Sequence, residues 1–333
     1  MTGLTKQDFS SDQETRWCPG CGDYAVLAAV QGLMPELGIP PHRVVFVSGI
    51  GCAGRFAYYM DTYGMHGIHG RAPALATGLA AARGDLSIWV ITGDGDALSI
   101  GGNHLIHALR RNVPLKILMF NNQIYGLTKG QASPTSERGK VTKSTPFGAH
   151  DAPFNPLALV LGAGATFAAR TIDRDRVHMT AVLRAAAEHR GAAFVEIYQN
   201  CPVFNDGAFA PLTDKQQAVF NRIPLEHGEP VRFGPDSEHG VVRAPDGRLV
   251  VGAGDDPAIV VHDAHRDDPA QAFALARLAD SPSDPTAIGV FRAVERPVGI
   301  AEAGAKLAEA RGSLEPGALH DLLHAGDTWT VAG

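Results

Sequence analysis

The amino-acid sequence predicts an α/β protein with a doubly wound parallel sheet and a C-terminal appendage. Four short apolar runs rich in β-branched residues occur in the first 200 residues, and such runs are typical of strands that are buried on both faces of a sheet. Helical stretches separate them, and this alternation favours a parallel sheet with helices on both faces. The 38 glycines gather at the ends of the apolar runs, where strand-to-helix turns commonly bind ligands.

The predicted elements alternate along the first two thirds of the chain. Strands are expected at 44–48, 87–92, 115–120 and 193–198, and helices at 23–33, 74–82, 100–110 and 177–188. The segment 128–155 has no periodicity and contains Ser, Thr, Lys, Pro and Gly. It is expected to be a long loop, and a loop of that length in a compact domain is usually functional.

The character of the sequence changes after about residue 225. GVVRAPDGRLVVG predicts a β-hairpin on an Asp-Gly turn, and DPAQAFALARL predicts a short helix before a tail rich in Gly and Ala. We therefore expect one domain over residues 1–225 and a C-terminal extension over residues 226–333.

Composition and charge argue against several classes of protein. Of the 333 residues, 45% are hydrophobic and 19% are charged, as in ordinary soluble globular proteins. The net charge is −6 and the 29 basic residues are scattered, which argues against nucleic-acid binding. The N-terminal segment is polar, unlike a signal peptide, and no apolar run reaches the roughly 18 residues of a membrane span. We expect a cytoplasmic protein that does not contact a membrane.

A Gly-Asp-Gly-Asp turn follows the strand predicted at 87–92. Glycines at such a turn let backbone N–H groups approach a phosphate, and the N-terminus of the following helix favours negative charge. The carboxylate of Asp94 would repel a phosphate unless a divalent cation lay between them. Mg²⁺ commonly does so, since it binds one or two carboxylates together with phosphate oxygens.

A second set of oxygen ligands follows the strand predicted at 115–120. Asn121 and Asn122 stand at its end, and 25 residues separate Gly95 from Asn121, which leaves room for one crossover helix and a strand. Asn side-chain oxygens and strand-end carbonyls are hard ligands that suit Mg²⁺, and ligands bind at the carboxyl ends of strands in open α/β sheets. Either half alone would be an ordinary turn; together they predict one metal–diphosphate site.

The chain has four cysteines, Cys18, Cys21, Cys52 and Cys201. The first two form a CxxC pair in a chain without signs of an oxidising compartment, so metal or redox use is favoured over a disulfide. On count alone, four thiolates suit tetrahedral zinc and a [4Fe–4S] cluster equally well, whereas a thioredoxin-like pair would leave two cysteines without a role. Cys52 and Cys201 each follow a predicted strand, at the edge of the sheet that carries Asp94. An electron acceptor beside that site makes chemical sense.

Longer motifs surround these residues. WCPGCG, GIGCAGRF, HGIHGRAPALATGL, GDGDALSIGGNHLIHALRRN, NNQIYGLTKGQ and FVEIYQNCPVFNDGAF follow one another between about residues 15 and 215. GDG-x25-NN resembles the diphosphate-binding motif of thiamine-diphosphate enzymes, and the whole set resembles the β subunits of 2-oxoacid:ferredoxin oxidoreductases. The resemblance implies a thiamine-diphosphate-binding fold over residues 1–225 that holds thiamine diphosphate, Mg²⁺ and one [4Fe–4S] cluster.

Carried over residue by residue, the resemblance implies four sets of site residues. The cluster ligands would be Cys18, Cys21, Cys52 and Cys201, and the Mg²⁺ ligands Asp94, Asn122 and, through its carbonyl, Ile124. The thiamine cofactor would be lined by Gly51, Cys52, Ala53, His69, Gly93, Gly95, Asp96, Gly126 and Leu127. Catalytic roles are implied for His69, which would face the cofactor, for Arg55 in substrate recognition, and for Lys129 in binding substrate or coenzyme A.

The resemblance also implies an activity. A 2-oxoacid would be oxidatively decarboxylated with coenzyme A to an acyl-CoA and CO₂, in either direction, with electrons passing through the cluster to ferredoxin. We expect 2-oxoglutarate as the substrate, because the planar guanidinium of Arg55 suits its distal carboxylate and because the loop TKSTPFGAHDAPFNP resembles that branch of the family. Pyruvate, or a broad range of 2-oxoacids, is the alternative.

The chain is expected to form half of an active site. Nothing after residue 225 is large enough for the pyrimidine-binding domain that supplies a glutamate in thiamine enzymes. By resemblance that domain lies on an α subunit, in an (αβ)₂ assembly, and the C-terminal extension is expected to pack on it. We expect no activity from this chain alone.

Two interpretations from other classes stay open at the level of sequence. A thiamine-dependent decarboxylase or acetolactate-type enzyme would carry both domains on one longer chain and would need no cluster. A zinc-stapled binding module without enzymatic activity predicts zinc and no visible absorption, whereas a cluster predicts a brown protein that reductant bleaches.

Overall fold

A computed structural model describes residues 3–279, 284–312 and 317–331. The strands are β1 (Val44–Ser48), β2 (Tyr63–His66), β3 (Ser87–Gly93), β4 (Leu115–Asn121), β5 (Ile124–Tyr125), β6 (Gln131–Ala132), β7 (Phe167–Ile172), β8 (Ala193–Tyr198), β9 (Arg222–Leu225), β10 (Arg232–Phe233), β11 (His239–Arg243), β12 (Leu249–Ala253) and β13 (Thr286–Ala293). The α-helices are α1 (Asp23–Leu33), α2 (Ala72–Ala82), α3 (Asp94–Leu98), α4 (Gly102–Arg110), α5 (Pro156–Gly162), α6 (Arg176–Glu188), α7 (Ala210–Thr213), α8 (Ala218–Asn221), α9 (Ala270–Ala276), α10 (Gly299–Gly312) and α11 (Ala318–Leu323). Short 3₁₀ helices cover Lys6–Phe9, Met34–Leu37, Pro41–Arg43, Ala53–Tyr59 and Pro235–Ser237.

The main sheet has eight strands in the order β2-β1-β3-β4-β8-β7-β13-β9. The six strands from β2 to β7 are parallel, whereas β13 is antiparallel to β7 and parallel to β9. One hydrophobic core contains apolar residues of α2, α4, α5 and α9, and a second contains those of α1 and α6. Helices therefore cover both faces of the sheet, and the predicted α/β class is confirmed.

The order of strands decides where the site lies. In the sheet β1, β3, β4 and β8 are consecutive and parallel, so their carboxyl ends meet at one edge. The segments after these four strands carry Cys52, Asp94, Asn122 and Cys201. These four site candidates therefore come from a single edge of the sheet, as expected for an open parallel sheet.

Most of the predicted elements are present with small shifts at their ends. β1, β8 and α1 have the predicted bounds, and the hairpin of β11 and β12 and the helix α9 are confirmed. β7 was not predicted, because the polar Arg170 and Thr171 interrupt its apolar run, yet both are buried. No helix in the described ranges is long and apolar enough to span a membrane.

The C-terminal part of the chain is divided between two structures. β10, β11 and β12 form a three-stranded sheet of their own, whereas β13 inserts into the main sheet between β7 and β9. The main sheet thus includes a strand from beyond residue 225. The division into residues 1–225 and 226–333 stays a prediction.

Candidate active site

A cavity of about 530 Å³ lies at the carboxyl ends of the central strands. Its lining includes every residue expected to contact the thiamine cofactor: Gly51, Cys52, Ala53, His69, Gly93, Gly95, Asp96, Gly126 and Leu127. The three expected Mg²⁺ ligands, Asp94, Asn122 and Ile124, line the same cavity. The parallel register of β1, β3 and β4 brings these residues together although up to 76 positions separate them in sequence.

Asp94 is the first residue of α3 and is buried at the floor of this site. Its Oδ2 accepts hydrogen bonds from Ser133 Oγ (2.5 Å) and Thr135 Oγ1 (2.6 Å), both from the long loop. Burial raises the pKa of the Asp94 carboxyl to about 6, even though the two hydroxyls act in the opposite direction. A carboxylate buried in this way is stabilised by a cation, so its environment fits a Mg²⁺ ligand.

The two adjacent asparagines have different surroundings. Asn121 is buried, and its Nδ2 donates to Glu196 Oε1 (2.8 Å). Asn122 lines the cavity; its Nδ2 donates to Gln199 Oε1 (2.9 Å), and its Oδ1 accepts the Ile124 N–H at 3.2 Å. The structure thus turns Asn122, and not Asn121, toward the cavity.

His69 enters the cavity from the turn before α2. Its Nδ1 lies 2.7 Å from Asp96 Oδ1, and its ring approaches Tyr125 edge-on with centroids 6.4 Å apart. His69 therefore lines the cavity, and its expected position facing the cofactor stays a prediction. Asp96 contacts His69 directly, a pairing that the sequence did not suggest.

The four cysteines converge beside the cavity. A Cβ on Gly126 would lie 3.6 Å from Cys201 Sγ and 3.7 Å from Cys52 Sγ. Burial first, and then the charges of Asp23, Cys201 and Cys18, raise the pKa of Cys52 to about 12. The pKa of Cys21 is also raised, by burial first and then by surrounding charges that include Cys52 and Cys201. Cys52 lines the cavity itself, and Cys201 lies next to it beside Gly126.

Comparison with known proteins places the chain in a family. Residues 49–197 match a family model described as the C-terminal thiamine pyrophosphate-binding domain of thiamine pyrophosphate enzymes. The chain is 59% identical over 329 residues to the 2-oxoglutarate oxidoreductase subunit KorB of Mycobacterium tuberculosis, covering 98% of this chain and 88% of that protein. It is 44% identical over 192 residues to the 2-oxoacid:ferredoxin oxidoreductase subunit beta of Saccharolobus solfataricus, covering 57% and 63% of the two chains. The chain is a 2-oxoacid:ferredoxin oxidoreductase β subunit.

A solved structure supports this assignment over nearly the whole chain. It is described as the 2-oxoglutarate:ferredoxin oxidoreductase from Magnetococcus marinus with 2-oxoglutarate, coenzyme A and succinyl-CoA bound. The two chains are 32% identical, match with a TM-score of 0.79, and each is covered over 98% of its length. The family resemblance inferred from the motifs is confirmed. The matched domain supports thiamine diphosphate as the cofactor, and β-subunit status implies a partner subunit.

Asp23 of this β subunit is a site residue that was not predicted from the sequence. Asp23 follows directly after the CPGCG motif, lines the cavity and is 1% exposed. Neither of its carboxylate oxygens has a hydrogen-bond partner at normal distance in the described part of the chain, although the Cys21 thiol is close enough to favour its charged form. Burial raises its pKa to about 7. An unpartnered buried carboxylate fits a cavity that receives a cationic group, and the thiazolium ring of thiamine is one.

The other two predicted catalytic residues lie outside this lining. Arg55 lines an adjacent cavity of about 410 Å³, which shares Ile50, Gly51 and Leu127 with the first. Lys129 is exposed, has a φ of 75°, and lines neither cavity, while its backbone N–H donates to the Gly126 carbonyl at 3.0 Å. Their roles stay predictions.

Proposed function

We propose that this β subunit, together with an α subunit, oxidatively decarboxylates 2-oxoglutarate with coenzyme A. The products would be succinyl-CoA, CO₂ and two electrons, which pass singly through a [4Fe–4S] cluster to ferredoxin, and the reaction would run in either direction. The observation that carries the proposal is the convergence of the expected cofactor and Mg²⁺ residues in one cavity beside four cysteines. Either motif alone would leave the activity open.

Thiamine diphosphate, when bound, supplies the carbanion that attacks the 2-oxoacid and the ring that holds the electron pair left by CO₂. This chain would hold its diphosphate through Mg²⁺, bound by the side chains of Asp94 and Asn122 and the carbonyl of Ile124. Gly93 and Gly95 would line the phosphates at the start of α3, where the N-terminus of a helix favours negative charge. Asp23 would face the cationic end of the cofactor.

The four cysteines would ligate the cluster. A redox-active CxxC pair needs a cysteine with a lowered pKa, whereas burial raises the pKa of Cys21, the second cysteine of the pair. Burial also raises the pKa of Cys52. Such thiols become thiolates when a metal cation compensates their charge. A [4Fe–4S] cluster next to the cavity would accept electrons one at a time.

The choice between a cluster and a single zinc ion is left to the analysis of metal content described below. In the described ranges, no group of three or more Cys, His, Asp or Glu side chains is arranged to hold a metal ion.

The choice of 2-oxoglutarate is supported by Arg55 and by the relatives. Arg55 lines the cavity next to the one that would hold the cofactor. This position suits a substrate that has a second carboxylate beyond its reacting carbon. A guanidinium binds a carboxylate in a bidentate manner. Relatives from Mycobacterium tuberculosis and Archaeoglobus fulgidus are named 2-oxoglutarate oxidoreductase or synthase subunits.

An α subunit would complete the site. Among the described residues that line the cavity there is no glutamate, and thiamine enzymes normally use one against the aminopyrimidine. We propose that the α subunit supplies it, that the complex is an (αβ)₂ assembly, and that the extension after residue 225 packs on the α subunit. Lys129, on the exposed start of the long loop, would contact substrate or coenzyme A.

The test is a measurement of cofactor content and activity on the complex. The chain is co-expressed with its α subunit, purified anaerobically, and analysed for iron, acid-labile sulfide, zinc and thiamine diphosphate. Reduction of a viologen dye is then followed with coenzyme A and either 2-oxoglutarate or pyruvate. We expect about four irons and four sulfides per β chain, because four cysteines suit one cubane cluster, and activity that requires 2-oxoglutarate.

Other outcomes would contradict separate parts of the proposal. One zinc and no iron would refute the electron-transfer route. A full cluster with equal rates on both 2-oxoacids would leave the chemistry intact and refute the substrate assignment. Activity of the β chain alone would refute the shared active site.

A further inference from the structure

Asp96 makes a set of contacts that differs from the cofactor-lining role implied by resemblance. Its carboxylate is 3% exposed and accepts four hydrogen bonds. Oδ1 accepts from His69 Nδ1 (2.7 Å), the Gly70 N–H (2.7 Å) and the Ile50 N–H (3.2 Å). Oδ2 accepts from Thr92 Oγ1 at 2.7 Å. Donors from three separate segments therefore fix this carboxylate in place.

The carboxylate of Asp96 has little capacity left for a ligand. A carboxylate offers about four acceptor positions, which matches the number of donors already bound. A Cβ at Gly49 would lie 1.8 Å from Oδ2, so the carboxylate also fills the space against the end of β1. Direct contact with Mg²⁺ or a phosphate would require breaking these hydrogen bonds.

The same contacts determine the protonation pattern of His69. The Ile50 and Gly70 backbone groups can only donate, so Asp96 is the acceptor and His69 Nδ1 carries the hydrogen. In the neutral ring Nε2 then holds the free lone pair. The His69 side chain is 41% exposed and lines the cavity, and Nε2 has no hydrogen-bond partner among residues 3–279, 284–312 and 317–331.

We propose that Asp96 is a positioning residue that holds His69 as the Nδ1–H tautomer with Nε2 turned toward the cavity. There Nε2 accepts the proton that leaves the substrate-derived hydroxyl when the decarboxylated carbon gives up two electrons to the cluster and becomes the acyl carbonyl, while Nδ1 keeps its own proton against Asp96. The buried carboxylate stabilises the positive ring that results. The inference rests on the proposed function and assigns a specific atom within that site.

Chemical rescue tests the pairing without altering Asp96. In the αβ complex, His69→Gly removes the ring, and imidazole is added back. Imidazole and 4-methylimidazole keep an N–H for Asp96, whereas 1-methylimidazole has none and has the same size as the second compound. We expect the first two to restore activity at least tenfold more than 1-methylimidazole. Equal rescue by all three, or rescue by none, would overturn the pairing.

A double-mutant cycle separates positioning from cofactor binding. Asp96→Asn is expected to lower kcat on the order of 10- to 100-fold, the range for residues that orient a functional histidine, with the dissociation constant for thiamine diphosphate changed by less than about threefold. The double variant Asp96→Asn/His69→Gln should match His69→Gln alone, because Asp96 acts through His69. Additive losses, or thiamine diphosphate binding weakened tenfold by Asp96→Asn, would return Asp96 to the cofactor-lining role.

The activity of the wild-type complex distinguishes a failure of the proposed function from a failure of the Asp96–His69 pairing. If it turns over pyruvate and not 2-oxoglutarate, the proposed substrate is wrong, and the cycle is run on pyruvate. If it turns over no 2-oxoacid, the proposed function is wrong, and cofactor affinity still decides whether Asp96 binds thiamine diphosphate.

Discussion

Arg55→Ala is expected to separate the two candidate substrates. Arg55 lines a cavity contiguous with that of the cofactor, and it forms no ion pair with the residues that the structure describes. Of the two 2-oxoacids, only 2-oxoglutarate has a distal carboxylate that could pair with this guanidinium. The variant should therefore lose kcat/KM for 2-oxoglutarate and retain it for pyruvate.

The size of the loss follows from the kind of contact. A hydrogen bond to a charged group contributes about 1.5–3 kcal/mol, and about 1.4 kcal/mol corresponds to a factor of ten. We expect kcat/KM for 2-oxoglutarate to fall roughly 10- to 150-fold. Arg55→Lys keeps the charge and loses the bidentate geometry, so its kcat/KM for 2-oxoglutarate should lie between that of Arg55→Ala and that of the wild type.

Viologen reduction by the anaerobic αβ complex measures both substrates in one assay, with iron and thiamine contents as checks on integrity. Arg16→Ala is the matched control, because Arg16 lines the same cavity but already pairs with Glu14 at 2.9 Å. Its substitution should lower kcat/KM for 2-oxoglutarate less than Arg55→Ala does. Equal losses on both substrates would refute substrate recognition by Arg55. So would an unchanged rate on 2-oxoglutarate.

Three further predictions concern stability and cofactor binding. Glu196→Gln removes the negative charge that lies 2.7 Å from the buried guanidinium of Arg170, and leaving a buried charge uncompensated costs about 3–5 kcal/mol. With an unfolding entropy of about 0.7 kcal/mol/K for this length, the thermal midpoint should fall by about 4–7 °C. Adding Arg170→Met should recover part of that loss, and a shift under 1 °C for Glu196→Gln would contradict the argument. Burial, and next a nearby lysine, lower the pKa of His189 to about 4, so the unfolded chain binds more protons and stability falls as the pH drops from about 6.5 toward 4. Between pH 7 and pH 5 the wild type loses unfolding free energy, and His189→Gln should reduce that loss by about 1 kcal/mol, after allowing for partial exposure. Urea unfolding at both pH values measures the loss, and an equal loss in the variant and the wild type would contradict the prediction. Gly95→Ala places a Cβ 2.2 Å from a tyrosine ring, whereas at Gly102 nothing lies within 4 Å; calorimetry should show thiamine diphosphate binding weakened at least tenfold by the first change and not by Gly102→Ala.

Local sequence was sufficient for the elements that carry the site. β1, β8 and α1 follow from runs of apolar residues, and the turns at Asp94 and Asn122 follow from glycines and polar residues at strand ends. These features depend on neighbours a few positions away, so periodicity and turn chemistry identify them. The four cysteines needed the additional knowledge that β1 and β8 end on the same edge.

Contacts between distant segments were not predictable in the same way. Arg170 breaks the apolar pattern of β7, and its burial is acceptable only because β8 brings Glu196 within 2.7 Å. β13 joins the main sheet from beyond residue 225, where the sequence suggested an appendage. Each depends on strand order and register, which no short pattern encodes.

The sequence by itself determined the family and the fold class, and it supplied the residues that we propose to hold thiamine diphosphate, Mg²⁺ and a cluster. Only the tertiary structure decided that Asp96 contacts His69, that Asp23 is buried without a partner, and that Arg55 lies in a neighbouring cavity. The reason is physical: residue type limits what a side chain can bind, whereas its actual partner is set by packing between segments far apart in the chain.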